Sequence, residues 1–286
     1  MVLENEFLIA QINPFGAELK SLVRKDSNEE LMWSGDPVFW GKTSPVLFPF
    51  VGSLNQNTYQ FNNKNFPMGR HGFAREKEFE AVQHNNCSGE FILKSTEDTF
   101  EIYPFHFELK ISYTLENETL TCCYQVENTA DFPMYFSLGA HPAFAAGTDS
   151  EDYHKYKLQF PSDELLEIHL LEAGLISKYT SPLQLKDKTL AVSYQLFEND
   201  ALVLSNLKSD KIILAHTEKT NYLEFHFEGF PYFGIWAAKN ANFICLEPWC
   251  GVADEVDFVG TLEEKRGIER LQPKEKWLRS WAVRAK

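Results

Sequence analysis

The 286-residue chain has no surplus of positive charge: 27 Lys and Arg stand against 41 Asp and Glu, a formal net charge of −14. Nucleic acid is therefore excluded as its main partner, because phosphate backbones are gripped by a basic stripe. An anionic membrane surface is disfavoured for the same reason. No apolar run approaches the roughly 18–20 residues of a bilayer-spanning helix. The N-terminus, Met1-Val-Leu-Glu-Asn-Glu6, lacks the basic and apolar regions of a secretory signal. Cysteine is scarce and unpatterned. Cys87, Cys122, Cys123, Cys245 and Cys250 form an odd set without a CxxC pair, which speaks against a disulfide framework or a zinc finger. A reducing, cytoplasmic setting is the simplest expectation.

Helical periodicity is also scarce, and Thr261–Leu271 is the best candidate for a helix. What recurs instead is phenylalanine, 24 in all and spread singly, in short segments closed by turns. Such segments include Glu18–Val23, Glu90–Lys94, Phe105–Leu115, Thr119–Val126, Lys157–Phe160, Ala201–Leu204, Lys211–His216, Tyr222–Phe227 and Trp277–Val283. Large rings suit pleated surfaces, and short strands at this spacing predict an all-β sandwich or barrel. No Gly/Ser/Pro linker or fixed repeat divides the chain, so one domain over 1–286 is expected.

Acid is missing from one long stretch. Pro37 to Arg75 holds no Asp or Glu, yet carries Lys42, Lys64, Arg70 and Arg75. Conversely, Glu247 to Glu264 carries six acids and no base. Brought together, the two stretches would give a site with walls of opposite sign. The plainer alternative is that the first is core, as Pro45-Val-Leu-Phe-Pro-Phe-Val51 suggests.

The stretch Phe243-Ile-Cys-Leu-Glu-Pro-Trp-Cys-Gly-Val-Ala-Asp254 starts as a buried strand. Pro248 has no amide for a ladder, so the strand is expected to end with Glu247 at its last position. A carboxylate there, beside Trp249, would be desolvated and its pKa raised, as a general base near neutrality requires. Two histidines sit in loops: His71 in Met68-Gly-Arg-His-Gly-Phe-Ala-Arg75, and His141 in Ser137-Leu-Gly-Ala-His-Pro-Ala-Phe144. Glycines let the backbone approach a ligand, and Pro142 pushes His141 towards extended geometry. His106 and His226 read as strand histidines, His84, His154 and His169 receive no role, and His216 is left open. An acid/base pair of His141 and Glu247 competes here with a metal site of His71, His141 and Glu247. Nucleophilic catalysis by Cys245 or Cys250 lacks any supporting signature.

Three segments, Arg70-His-Gly-Phe-Ala-Arg75, Gly139-Ala-His-Pro-Ala-Phe144 and Glu247-Pro-Trp-Cys-Gly251, resemble in order the signature segments of the aldose 1-epimerase (galactose mutarotase-like) family. Pro45-Val-Leu-Phe-Pro-Phe-Val-Gly52 is similar to the approach to that family's first histidine. The resemblance runs along essentially the whole chain. Its His-Gly-Phe-Ala-Arg form is closest to the branch of LacX-type proteins and hexose-6-phosphate mutarotases. It implies a β-supersandwich, a sugar or sugar-phosphate ligand and no cofactor or metal, in a monomer or homodimer. It implies His141 as general acid, Glu247 as general base and His71 holding the sugar. Arg70 and Arg75 then read a phosphate, and Asp200 holds sugar hydroxyls. Trp249 or Trp236 would supply an apolar face for sugar C–H groups. At Ser53 the chain departs from the family, where many relatives place another arginine. A carbohydrate-binding or sugar-sensing protein with little turnover is the rival expectation.

Overall fold

The computed structural model describes residues 1–286. Phe107–Glu116 and Thr119–Asn128 bury alternate residues along their length, the pattern of a sheet with one face on a core. They lie in a nine-stranded antiparallel sheet. Its order is Thr189–Ala191, Tyr156–Gln159, Lys211–His216, Tyr222–His226, Lys276–Ala285, Thr119–Asn128, Phe107–Glu116, Ser88–Lys94 and Glu80–Asn85. A second sheet of seven strands runs Leu138–Gly139, Phe243–Cys250, Tyr232–Trp236, Leu202–Ser205, Leu165–Glu172, Leu175–Gln184, with Ala143–Ala145 also paired to Phe243–Cys250. The two sheets meet through phenylalanines. Phe225 and Phe227 of one side lie 6.1 and 4.3 Å from Phe233 of the other, and Phe144 lies 5.8 Å from Phe225. Strands take 49% of the chain and helix 8%, so the class is all-β.

Two expectations need correction. Thr261–Leu271 is not a helix. A single 3-10 turn, Leu262–Glu264, is capped by Thr261 and Glu264; the chain then turns at Gly267, φ +71°, and Glu269–Leu271 pairs with Met134–Phe136. Tertiary pairing overrides the local helical pattern.

The strand that begins at Phe243 does not stop at Glu247 but continues to Cys250. Pro248 is tolerated because of the side its missing amide would face. Its carbonyl accepts from Ala140 N, and Leu246 N donates to Pro142 O. Backbone groups of Leu246 and Pro248 therefore point to the 138–145 side, where pairing is already interrupted between Leu138–Gly139 and Ala143–Ala145. On the opposite side the ladder to Tyr232–Trp236 is unbroken.

Candidate active site

Phe243–Cys250 is buried along its whole length, and Cys245, Glu247 and Trp249 share one of its faces. Glu247 lies opposite Gly234, and Trp249 opposite Gly139 and Tyr232. Those two glycines give the Trp249 ring its space. A Cβ on Gly234 would come within 2.4 Å of the ring, and one on Gly139 within 2.6 Å. His141 sits in the gap between Leu138–Gly139 and Ala143–Ala145, pinned by the Ala140 and Pro142 hydrogen bonds to the same strand. Its Nε2 ends 3.2 Å from Glu247 Oε2.

His71 arrives from the other side on a tight turn, with φ +69° at His71 and +70° at Gly72. A Cβ on Gly72 would lie 2.3 Å from the Phe48 carbonyl oxygen. His71 N donates to Gly52 O, and Gly52 N donates to His71 Nδ1 at 3.1 Å. Nδ1 is thus an acceptor, and the neutral ring carries its proton on Nε2. Arg70 Nε approaches that same Nε2 at 3.2 Å. Both ring nitrogens are thus approached by an N–H, and a neutral imidazole accepts at only one of them.

All seven residues named from the sequence as catalytic or substrate-binding, His141, Glu247, His71, Arg70, Arg75, Asp200 and Trp249, line one cleft of about 240 Å³. Arg70 pairs with Asp200 at 3.7 Å. Arg75 donates to the Arg70 carbonyl at 3.0 Å and so steadies the turn as well as facing the cleft. The acid-free and acid-rich stretches do meet, since Asp254 accepts from Asn55 N at 2.8 Å. Pro45–Val51 is nevertheless also core, with every residue from Pro45 to Val51 buried. Ser53 gives its carbonyl to Asp254 N, and its hydroxyl would lie 3.3 Å from a Cβ on Gly174, a residue of the cleft wall.

Sequence reasoning missed Trp40, whose ring stacks on His141 at 4.8 Å and 28°. Nothing in the local pattern separates it from its neighbours Trp33 and Phe39; its place in the acid-free stretch was the one available signal. Trp236 stands edge-on to His141 at 5.8 Å. Lys265 was missed too; it is buried, with Nζ 2.7 Å from both Asp254 Oδ1 and Val252 O. The remaining histidines lie outside the cleft. His169 is buried and bonds Ser205 Oγ at 2.8 Å, and His216 bonds Asp152 at 3.0 Å.

Burial dominates the electrostatics. Glu247 is only 1% exposed, and desolvation pushes its pKa well above the ordinary carboxylate value; Arg70 opposes this and Asp200 adds to it. Desolvation pushes His141 down to about 3. His71 is also held well below its usual value, by burial first and then by His141, Arg70 and Arg75. Burial thus opposes charge on Glu247, His141 and His71 alike. Of the metal set weighed from sequence, His71 is turned to Gly52, and the third donor beside His141 and Glu247 is Cys245.

Comparison with known proteins identifies the family. Residues 1–260 match the family described as aldose 1-epimerase. Protein LacX (chromosomal) of Lactococcus lactis subsp. lactis is 33% identical over 282 residues, 95% of this chain and 94% of the relative. The solved galactose mutarotase related enzyme from Lactobacillus acidophilus matches with a TM-score of 0.94 at 33% identity, covering 100% of this chain and 97% of that one. A galactose mutarotase-like protein from Lactobacillus casei ATCC 334 matches equally well, TM-score 0.94 at 28% identity, over 100% of this chain and 99% of that one. The fold is thus the galactose mutarotase-like β-supersandwich, and the chain belongs to the aldose 1-epimerase family, with the isomerase-type, mutarotase-like function that membership implies.

Proposed function

We propose that the protein interconverts the α and β anomers of an aldohexose or its 6-phosphate, with Glu247 and His141 moving the protons. The observation that carries this reading is the 3.2 Å approach of His141 Nε2 to Glu247 Oε2 in the wall of the cleft. The hydroxyl and ring oxygens of a hemiacetal share one carbon, so a matched acid and base must also be neighbours. In ring opening, Glu247 takes the proton of the C1 hydroxyl and His141 gives one to the ring oxygen. The C1–ring-oxygen bond breaks as the carbonyl forms. The aldehyde then turns, and the same transfers in reverse close the other anomer.

This chemistry starts from carboxylate and imidazolium, whereas burial favours carboxyl and imidazole. The two differ by one proton moved across the 3.2 Å between Nε2 and Oε2. Arg70 favours the Glu247 carboxylate and opposes charge on His141. His71 Nε2–H is the donor for a sugar oxygen, and Asp200 accepts from hydroxyls. Trp40, Trp236 and Trp249 supply apolar faces for C–H groups. Arg70 and Arg75 are the groups suited to a 6-phosphate. The cleft's volume lies below the roughly 300–1,000 Å³ of drug-sized pockets, which suits a single sugar unit.

The test is optical rotation of freshly dissolved α-glucose and α-galactose, and saturation-exchange NMR of glucose 6-phosphate, each with and without protein. Acceleration above the buffer rate is expected, and the preferred substrate tells whether the arginines read phosphate. Binding by calorimetry without any acceleration would overturn catalysis in favour of a sugar-sensing protein.

A further inference from the structure

The proton transfers above make no use of Cys245. It precedes Glu247 by two residues on one strand, so both side chains leave the same face. Its sulfur, a His141 ring nitrogen and a Glu247 oxygen all lie within 4.8 Å of one another, and all three residues are buried. One imidazole, one thiol and one carboxylate around a common point supply the three protein ligands of an open tetrahedral zinc site. Zinc–ligand bonds of about 2.0–2.3 Å place neighbouring ligand atoms roughly 3.3–3.7 Å apart. His141 Nε2 and Glu247 Oε2, at 3.2 Å, lie just under that range. The thiol needs an inward shift of about 1 Å to join them. The fourth position opens to the cleft that both His141 and Glu247 line.

We propose that His141, Cys245 and Glu247 bind a thiophilic divalent cation, zinc foremost, and that its occupancy blocks the sugar site. Binding forms Zn–N, Zn–S and Zn–O bonds as the hydrated ion sheds the waters these ligands replace; the thiol and the carboxyl each release a proton to solvent, and no electron is transferred. Thiol and carboxyl ligate only as anions, so affinity rises with pH. His141 Nδ1 has no hydrogen-bond partner. Tight sites give the second imidazole nitrogen an acceptor, and losing one costs about 10–100-fold in affinity. The site is therefore weaker than one with a complete outer shell, and its occupancy is reversible. Magnesium, which prefers oxygen ligands, is not taken up.

Only the inhibition rests on the mutarotase reading; metal binding is read separately. The intact chain is titrated with Co2+ without sugar, following the thiolate-to-cobalt charge-transfer band and the visible bands of tetrahedral cobalt. One equivalent is expected, displaced by Zn2+ and not by Mg2+. The band should vanish in Cys245→Ser and persist in Cys87→Ser and Cys123→Ser, whose thiols are half-buried. In the optical-rotation assay, micromolar Zn2+ should slow the wild type about tenfold or more. Cys245→Ser should keep its basal rate and lose at least tenfold in zinc sensitivity. No charge-transfer band up to millimolar Co2+, a band that survives Cys245→Ser, or equal inhibition of both proteins would each overturn the proposal. A cobalt band lost in Cys245→Ser, with no turnover of any sugar by either protein, would uphold the metal site and sink the mutarotase reading.

Discussion

At the scale of single residues, the cleft is governed by what burial does to two titrating groups. Replacing Glu247 with Gln or His141 with Asn removes one half of a proton relay, and general acid–base groups contribute about 10²–10⁴-fold. Losses of that size in kcat/KM are expected by polarimetry, with unchanged circular dichroism. The pH dependence follows from the directions of the shifts. The pair works while it holds one proton, so kcat/KM should fall on the alkaline side, where Glu247 finally loses its raised proton. Stability runs in opposed senses for the two groups. The folded state holds the Glu247 proton more tightly than the unfolded state, so that contribution is full below the unfolded value of 4.5 and is lost as pH rises. His141, pushed from 6.5 to about 3, favours the folded state above 6.5 and loses that contribution as pH falls. Glu247→Gln should therefore melt above wild type at pH 8, and His141→Asn above wild type at pH 5. A calorimetric series that shows the reverse order would refute the burial argument. That His71 and His141 lie off the regular strands was legible from the glycines and proline beside them, and both line the cleft. Trp40 was not, because stacking is a tertiary fact with no local signature.

At the scale of elements, the position of His71 depends on a turn that only glycine can complete. Gly72→Ala combines a left-handed backbone with a contact of 2.3 Å to the Phe48 carbonyl. The two penalties together should cost about 2–4 kcal/mol, seen as a lowered midpoint in urea, and should raise KM as His71 is displaced. Most strands were legible from alternation, Lys211–His216 to the residue. The two misreadings share one cause. Pro248 was taken to end a strand, and Thr261–Leu271 to form a helix, on local rules alone. Which side a missing amide faces, and whether Met134–Phe136 lies ready as a partner, are set by distant chain.

At the scale of the whole molecule, one apolar cluster of 70 buried residues joins both large sheets. Phe225, which packs on Phe144, Phe233 and Trp281, lies at their junction. Phe225→Ala should cost about 3–5 kcal/mol, and the sheets should still unfold in one transition by fluorescence and far-UV dichroism. The place of Phe243–Cys250 between 138–145 and 232–236 has a consequence in time. During synthesis His71 and His141 emerge long before the strand that must slide in beside them, so a half-length chain carries both histidines but not the strand that completes the cleft. Activity is the last property such a chain acquires. In refolding from denaturant, the return of sugar turnover should lag the return of β-sheet signal, because the pairings that complete the cleft join residues far apart in the sequence and close slowly.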